Sequence, residues 1–405
     1  MPSFRILVLG DPHMHQGKPL GSAPSYLSSL PNYNAPKLSP IRDAADLMIS
    51  QGVKIDWIIC PGDISNQNDT VSAGVAWSQL DAMRKRLRAR KLIGNVGNHD
   101  LDSRRNDASF RPDEALKSLV PSFPLSDKKL ASRFWAQDYV VVKETSHQAT
   151  LVLVNSCALH GTAVKRGKEA SHEHGHVSTT VIQKLSAELS SKLSSLNVLV
   201  MHHHIRQHPW QPDDHSHAEN GPLLLEALAN TGVRWLVIHG HQHLPDLNYA
   251  NADKAAPIIL SAGSIAGNRF EVQGRTPRNQ MHLIEFDQIG NFRARIYTWN
   301  WAPAIGWTAS FPDSGLPKLC GFGDQLGTQS LRDQINARIS SQATRRLKWD
   351  DLIEIIPDVQ FLVPSELKHL IELLENSGTI VHYDKWLLPS LFDRGNEIDG
   401  AAIAV

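Results

Sequence analysis

The feature that most constrains this chain is a series of five short segments, rich in metal-ligand side chains, most of which follow a strand-like apolar run. In chain order the segments are Asp11-Pro-His13, Gly62-Asp63, Gly97-Asn98-His99-Asp100, His202-His203-His204 and Gly240-His241-Gln-His243. No segment is informative alone, so the information lies in the set and its order. Together they offer carboxylate, amide and imidazole donors, a combination that predicts a centre for two metal ions.

The pattern between these segments predicts an α/β fold. Strands are predicted at Phe4–Leu9, Asp56–Cys60, Lys91–Val96, Ala149–Val154, Leu196–Met201, Val233–His239 and Pro257–Ala262. Helices are predicted at Ile41–Gln51, Ala73–Arg90, Thr179–Leu193 and Pro222–Thr231. Continuous apolar strands with helices between them indicate a sheet covered on both faces. Active sites in such folds lie at the carboxyl ends of the strands, which is where most of the five segments begin.

Charge and length limit the class of partner. The 405 residues contain 41 basic and 41 acidic side chains, so there is no overall positive field to attract nucleic acid. Residues 1–305 contain 32 basic and 27 acidic side chains, whereas residues 346–405 contain 5 and 11. We therefore expect a mildly basic large domain and an acidic tail.

Cysteine use and hydropathy predict the compartment. Cys60, Cys157 and Cys320 are the only cysteines, and an odd number at wide spacing argues against a disulfide framework. The apolar run at the N-terminus is too short for a signal peptide, and no run of 18 apolar residues is present. We therefore expect a cytoplasmic protein without a membrane span.

The last part of the chain reads as a separate small module. A linker rich in Gly and Pro is predicted at Trp301–Gly327, and a helix at Ser330–Leu347. Pro364 opens a helix with apolar residues at positions i, i+3, i+4 and i+7, and Gly378 ends it. Two short strands, Thr379–Tyr383 and Trp386–Leu391, follow it, so the order resembles a winged helix.

The predicted division is therefore a large domain at 1–305, a linker and helix at 306–345, and a winged-helix-like module at 346–405. Winged helices often bind DNA, but phosphate contacts need Lys and Arg, and this module is acidic. We expect it to contact a protein partner or to mediate self-association.

Spacing suggests how the segments share two ions. Asp63 follows a strand and a glycine turn and is the candidate for a carboxylate that bridges both ions. Asp11 and His13 can reach one ion from a tight turn. His241 and His243 alternate around Gln242, so an extended backbone projects both to the same side.

The order DxH, GD, GNHD, H and GHxH resembles that of the calcineurin-like metallophosphoesterase superfamily, over Ile6 to Ser264. The resemblance implies a four-layer β-sandwich flanked by helices. It implies one divalent ion held by Asp11, His13, Asp63 and His243, and a second held by Asp63, Asn98, His202 and His241. Such mixed ligands fit Mn²⁺, which we favour, or Fe or Zn²⁺.

The same resemblance assigns the rest of the GNHD segment. His99 is expected to face the phosphate and protonate the leaving oxygen, and Asp100 to orient that imidazole through a hydrogen bond. A metal-bound hydroxide would be the nucleophile. Within the triple histidine His202 is favoured because it follows the strand directly, while His203 and His204 stay open as alternatives.

The substrate is less constrained than the centre. Protein phosphatases of the superfamily carry GDxVDRG and GNHE, whereas this chain reads GDISNQ from Gly62 to Gln67 and GNHD from Gly97 to Asp100. It is closer to the cyclic-nucleotide phosphodiesterase-like members. It departs from them after the histidines, where His204-Ile205-Arg206 replaces the usual prolines.

Three functions follow from these observations. The first is a phosphodiesterase acting on a nucleotide or another small diester. The second is a metal-dependent nuclease acting on DNA or RNA, suggested by the excess of basic residues in the large domain. The third is a protein-interaction scaffold with a metallophosphoesterase fold, which the filled ligand positions disfavour.

Overall fold

The secondary structure comes from a computed structural model that describes residues 3–17, 24–30, 39–104, 111–162, 165–166, 169–170, 174–208, 214, 216–251, 253–267, 276–287, 292–311 and 315–395. Its strands are β1 (Phe4–Val8), β2 (Trp57–Cys60), β3 (Lys91–Gly94), β4 (Tyr139–Glu144), β5 (Ala149–Val154), β6 (Lys165–Arg166), β7 (Glu169–Ala170), β8 (Gly175–His176), β9 (Leu196–Val200), β10 (Ala218–Glu219), β11 (Leu236–His239), β12 (Asp246–Tyr249), β13 (Ile258–Ser261), β14 (Asn279–Phe286), β15 (Ala294–Ala302), β16 (Gly306–Ala309), β17 (Leu319–Phe322), β18 (Arg346–Lys348), β19 (Ile380–Tyr383) and β20 (Pro389–Asp393). Its α-helices are α1 (Pro40–Ser50), α2 (Thr70–Arg86), α3 (Glu114–Lys117), α4 (Lys128–Gln137), α5 (Thr179–Leu189), α6 (Gly221–Ala229), α7 (Thr328–Ser341), α8 (Trp349–Ile355) and α9 (Pro364–Asn376).

Two mixed sheets form the centre of the large domain. The first has the order β16-β15-β14-β1-β2-β3, with β17 also paired to β15, and the second has the order β12-β13-β11-β9-β5-β4. The neighbours β1, β2 and β3 are parallel, as are β13, β11, β9 and β5. Antiparallel strands lie at the sides, so each sheet keeps a parallel core whose carboxyl ends point the same way.

Side-chain alternation explains why these strands read as continuous apolar runs. In β5, Leu151 and Leu153 join the core between the sheets, whereas Val152 and Val154 join a second core beneath the helices. That second core also takes Leu185 of α5 and other residues of α5 and α6. Helix, sheet, sheet and helix therefore form four layers, which confirms the predicted fold class.

The predicted strands and helices of the large domain are found with shifted ends, but several elements were not predicted, and the predicted helix Ser330–Leu347 ends at Ser341, before β18. Residues predicted as a linker at Trp301–Gly327 contain β16 and β17, which pair with β15 and extend the first sheet. Each of these strands is only four residues long, and Gly and Pro recur in the sequence around them. No sustained apolar run therefore predicts them. A search of the described helices finds none that is long and apolar enough to cross a membrane.

The C-terminal module has the element order and sheet of a winged helix. Its strands pair in the order β18-β20-β19, and α7, α8 and α9 pack on them. Leu331, Ile335 and Ile339 of α7 are fully buried in its core. The module therefore includes a helix that the predicted division assigns to the linker. Residues 396–405 of the predicted module lie outside the described residues.

Replacing Ile335 by Ala tests whether α7 belongs to the module's core. Ile335 is fully buried, so we expect the free energy of unfolding to fall by about 2–5 kcal/mol through lost burial and a cavity. The matched control is Ile355→Ala in α8, because Ile355 is 44% exposed and an exposed substitution changes stability by about 0.5 kcal/mol or less. Urea unfolding followed by circular dichroism measures both, and equal small losses would place α7 outside the core.

Candidate metal centre

The five segments meet at one edge, where the parallel strands of both sheets end. Asp11, Asp63 and Asn98 follow β1, β2 and β3, and His202 and His241 follow β9 and β11. The backbone turns sharply after β1, β2 and β11. Asp11, His13, Asp63, His241 and His243 all have positive φ angles, between 41° and 82°. Non-glycine residues adopt this conformation at an energetic cost, and such residues concentrate at functional sites.

Four of the predicted ligands form one group. His13 Nε2 and His243 Nε2 lie 2.8 Å apart, and His13 Nε2 is 3.4 Å from Asp63 Oδ2. Asp11 Oδ2 is 3.7 Å from His243 Nε2. The structure thus brings together the set Asp11, His13, Asp63 and His243 that the sequence assigns to the first ion.

The other predicted ligands form a second group beside it. The amide oxygen Asn98 Oδ1 lies 2.9 Å from His202 Nε2 and 3.0 Å from His241 Nδ1. His202 Nε2 is also 3.4 Å from Asp63 Oδ2. The opposite nitrogen of His241 lies 2.9 Å from Ser216 Oγ, which leaves Nδ1 facing the group. These residues are the set assigned to the second ion.

Asp63 belongs to both groups through a single oxygen. Its Oδ1 accepts a hydrogen bond from the backbone N–H of His99, whereas Oδ2 faces His13 and His202 at equal distances. Burial acts to raise the pKa of Asp63, but the charges of His202 and His99 outweigh it and hold the pKa well below its usual range. The carboxylate is therefore ionised and placed between the groups, as a bridging ligand must be.

The donor set fits divalent cations. Burial lowers the pKa values of His13, His241 and His243, the last to about 4, so these imidazoles are neutral near pH 7, as metal ligands must be. Buried Asp11 Oδ1 accepts no hydrogen bond from the described residues. Oxygen and imidazole donors converging in this way suit Mn²⁺, Fe or Zn²⁺.

The fourth imidazole has the opposite shift. Burial acts to lower the pKa of His202, but the carboxylates of Asp63 and Asp11 outweigh it and raise the pKa to about 9. Burial also raises the pKa of Asp11 well above its usual range. This group of side chains therefore retains protons near neutral pH, and binding of a divalent cation would displace them.

Two motif glycines allow the segments to approach closely. A Cβ atom on Gly97 would lie 2.1 Å from both the backbone nitrogen and Oδ1 of Asp63, and one on Gly240 would lie 2.2 Å from Asp11 Oδ1. Both distances are far below van der Waals contact. The glycines of these segments therefore leave room for the carboxylate of a neighbouring segment.

His99 and Asp100 occupy different positions from each other. His99 is half-buried, its ring contacts that of His13 with centroids 4.8 Å apart, and it lines a cleft of about 360 Å³ with Asn98, Gln67 and Arg104. Two larger clefts, of about 580 and 660 Å³, lie away from these ligands, so size alone does not locate the site.

Asp100 does not make the predicted hydrogen bond to His99. Its Oδ1 accepts from the backbone N–H and hydroxyl of Ser65, and its Oδ2 accepts from the backbone N–H of Gly97. A tight 3-10 turn at Asn98–Asp100 folds the carboxyl group back over its own segment, away from the imidazole. Asp100 therefore joins the turns after β2 and β3. Burial, with the nearby Asp63 carboxylate, raises its pKa to about 7.

The structure separates the three neighbouring histidines. His202 points to Asn98 and Asp63, His203 Nδ1 lies 2.9 Å from Ser156 Oγ, and the ring of His204 lies 4.3 Å from that of His239. Of the three, His202 has a ring nitrogen within 3.4 Å of both Asn98 and Asp63, whereas the ring of His203 contacts that of His241 with centroids 4.5 Å apart. The alternative assignments of His203 and His204 are therefore disfavoured by geometry.

Two serines that the sequence reasoning overlooked support the ligands. The Ser103 hydroxyl donates to the backbone oxygen of Asn98, and Ser216 Oγ contacts His241 Nε2. Ser103 follows the GNHD segment closely, so proximity was an available signal. Ser216 lies in a histidine-rich stretch without a motif, and only the fold brings it to the site.

Two family models match this chain. A family model described as calcineurin-like phosphoesterase matches residues 4–245, and one described as wHTH-Calcineurin_assc matches residues 320–376. A comparison with curated proteins gives no significant match.

Several solved structures are similar in fold. One is a dimetal phosphatase from Danio rerio, with 14% identity and a TM-score of 0.48, covering 73% of this chain and 96% of that chain. A purple acid phosphatase from yellow lupin (Lupinus luteus) seeds has 12% identity and a TM-score of 0.45, with coverages of 74% and 52%. A 5'-nucleotidase precursor from Thermus thermophilus has 12% identity and a TM-score of 0.34, with coverages of 76% and 53%. At these values the similarities carry no conclusion about substrate.

Replacing Gly97 by Ala tests the close approach at the centre. The backbone of Gly97 has φ −97°, which alanine adopts freely, so the expected effect is the steric displacement of Asp63. We predict loss of most bound Mn²⁺ after reconstitution, measured by elemental analysis. The matched control is Gly74→Ala within α2, where a Cβ meets no atom within 4 Å and should leave the metal content unchanged. Full metal content in Gly97→Ala would contradict the packing described above.

Proposed function

Because this chain belongs to the calcineurin-like phosphoesterase family, we propose that it is a binuclear metal-dependent phosphoesterase that hydrolyses phosphodiester bonds. The observation that carries the proposal is the position of Asp63 Oδ2, 3.4 Å from an imidazole of each ligand group. One carboxylate oxygen that faces both ligand groups is suited to bridge a pair of cations.

The proposed ligands are those that converge in the two groups. Asp11, His13, Asp63 and His243 would hold one ion. Asp63, Asn98, His202 and His241 would hold the other. We favour Mn²⁺, with Fe or Zn²⁺ as alternatives that the same donors accept. When bound, such ions neutralise phosphate charge and activate water for attack at phosphorus.

His99 is the proposed proton donor to the leaving oxygen. Its backbone is fixed by the hydrogen bond to Asp63 Oδ1, while its side chain lines the cleft. A general acid in this position contributes about 10²–10⁴-fold to the rate. Asp100 acts indirectly. It accepts hydrogen bonds from the backbone of Gly97 and Ser65 and so positions the turns that carry His99 and Asp63.

The proposed substrate is a nucleotide or another small diester. The described lining of the cleft is polar, with Gln67, Asn68 and Asp102 beside the exposed cation Arg104. Arg104 lies where a second anionic group of a substrate could be bound. The same arginine and the positive balance of residues 1–305 favour a nuclease as the second candidate.

The C-terminal module is proposed to act through protein contact or self-association. Its helix α9 carries Glu366, Glu372 and Glu375, which would repel phosphates. Glu366 also pairs with Lys254 of the large domain, together with buried Asp324. Part of α9 therefore already faces protein. The wing leaves Ile380, 59% exposed, on the outer surface, where a partner could cover it.

We propose a cytoplasmic location, on the evidence of cysteine use. Cys60, Cys157 and Cys320 are buried and free in the structure. Unpaired cysteines of this kind are typical of reducing compartments.

His99→Ala separates an enzyme from a scaffold. We expect turnover of bis-p-nitrophenyl phosphate to fall about 10²–10⁴-fold through loss of the general acid. A donor atom of His99 lies within 4.8 Å of donors of His13 and Asp63, but the proposed ligand sets do not include His99, so we expect the bound metal to be retained. The matched control, His369→Ala on the exposed face of α9, should have wild-type turnover. Unchanged turnover in His99→Ala would remove His99 from the mechanism. If the wild-type protein binds two ions but does not hydrolyse the diester, the result would favour the protein-interaction scaffold over the enzyme.

Substrate class is tested by comparing a diester with a monoester. Metal-stripped protein is reconstituted with Mn²⁺, Ni²⁺, Zn²⁺ or Mg²⁺ and assayed on bis-p-nitrophenyl and p-nitrophenyl phosphate, with Asp63→Asn as the control. We expect metal-dependent diester turnover that Asp63→Asn abolishes, because a neutral amide cannot bridge two cations as an ionised carboxylate does. Preference for the monoester would move the assignment to a phosphatase, and cleavage of DNA or RNA would favour the nuclease.

A further inference from the structure

A third group of donor side chains lies beside the candidate centre and outside both of its ligand sets. It consists of Cys157 and His160, in the loop after β5, and His203, at the end of β9. Their exposed fractions are 1%, 4% and 1%. Each offers one donor atom, and these three atoms lie within 4.8 Å of one another. A buried thiol with two imidazoles is a ligand set suited to Zn²⁺ and similar borderline cations.

The distance between two of the donors fits a tetrahedral site. Cys157 Sγ lies 3.7 Å from His203 Nδ1. Zinc binds sulfur at about 2.3 Å and imidazole nitrogen at about 2.0–2.1 Å, which places the two donors about 3.6 Å apart at a tetrahedral angle. The pair therefore stands near the required separation.

His160 has the outer hydrogen bond expected of a metal-bound imidazole. Its Nε2 lies 3.0 Å from the backbone oxygen of His174, and a carbonyl only accepts. In the neutral ring Nε2 therefore carries the proton and Nδ1 holds the lone pair. Because the one proton of the Ser103 hydroxyl is donated to Asn98, this lone pair receives no hydrogen bond from Ser103 and is available to a cation once the Ser103 contact is given up. Ligand histidines generally donate their other N–H to a carbonyl or carboxylate, which fixes the tautomer in this way.

The same residues also make polar contacts that compete with a cation. Ser156 Oγ lies 2.9 Å from His203 Nδ1, His160 Nδ1 lies 3.0 Å from Ser103 Oγ, and the Cys157 thiol points to the backbone oxygen of Val96 at 3.3 Å. Burial raises the pKa of the Cys157 thiol well above its usual range. A divalent cation would displace the thiol proton to solvent and compensate the charge of the thiolate.

We propose that Cys157, His160 and His203 form a third cation site, for Zn²⁺ or a similar borderline metal, distinct from the two-ion centre. Three protein donors leave one coordination position for a water or another ligand, and the burial of all three favours a structural role. The cation ties the loop after β5 to His203, and the residue that precedes His203 is the proposed ligand His202.

Cobalt substitution of the full-length chain tests this site without an assay of activity. The chain is stripped of metal, loaded with Co²⁺ under reducing conditions, and examined by near-ultraviolet absorption and elemental analysis. The two-ion centre has only oxygen and imidazole ligands, so a thiolate-to-cobalt charge-transfer band can arise only from a cysteine. We expect that band and a third bound cobalt in the wild type, and loss of both in Cys157→Ser.

The matched control is Cys320→Ser. Cys320 is a buried cysteine of β17 in the first sheet, so this variant should keep the band. A second arm uses Asp63→Asn, which should bind fewer ions at the two-ion centre and keep the band. Absence of the band in the wild type, or its survival in Cys157→Ser, would overturn the proposal. If Cys157→Ser fails to fold, absence of the band in the wild type still overturns the proposal, and loss of the band in His160→Ala then supports it.

Discussion

The structure depends on one carboxylate held between two groups of imidazoles. Asp63 can occupy that position only because β1, β2 and β3 of one sheet and β9 and β11 of the other end at the same edge. The pairing of parallel strands that are far apart in sequence therefore brings the site together, which no local motif could do. Residues as far apart as His13 and His243 come within 2.8 Å because the two sheets pack face to face.

Burying so many polar groups destabilises a fold unless each group is compensated. Here the carboxylates receive backbone hydrogen bonds from neighbouring segments, as when His241 N–H donates to Asp11 Oδ2. The left-handed backbone at Asp11 and His13 adds a further cost. The apolar core between the sheets offsets both, and bound cations would stabilise the folded chain further through their affinity for it.

The motifs named the side chains that the structure brings together, because residue type and strand ends are local properties of the sequence. The sequence could not predict the partners of Asp100, which depend on how a 3-10 turn directs its carboxyl group. It also missed β14, where buried Gln280 and His282 interrupt the apolar pattern. The fold provides hydrogen-bond partners for these side chains from residues distant in sequence. Gln280 bonds to Asn300, and His282 bonds to Thr298.

The bridging position of Asp63 is tested most directly by electron paramagnetic resonance of the Mn²⁺-loaded chain. Two ions that share Asp63 Oδ2 lie close enough for their electron spins to couple, so the account predicts a spin-coupled dimanganese spectrum at full loading. Asp63→Asn should replace it with the signal of isolated Mn²⁺. A wild-type spectrum of isolated Mn²⁺ alone, at two bound ions per chain, would contradict a shared ligand.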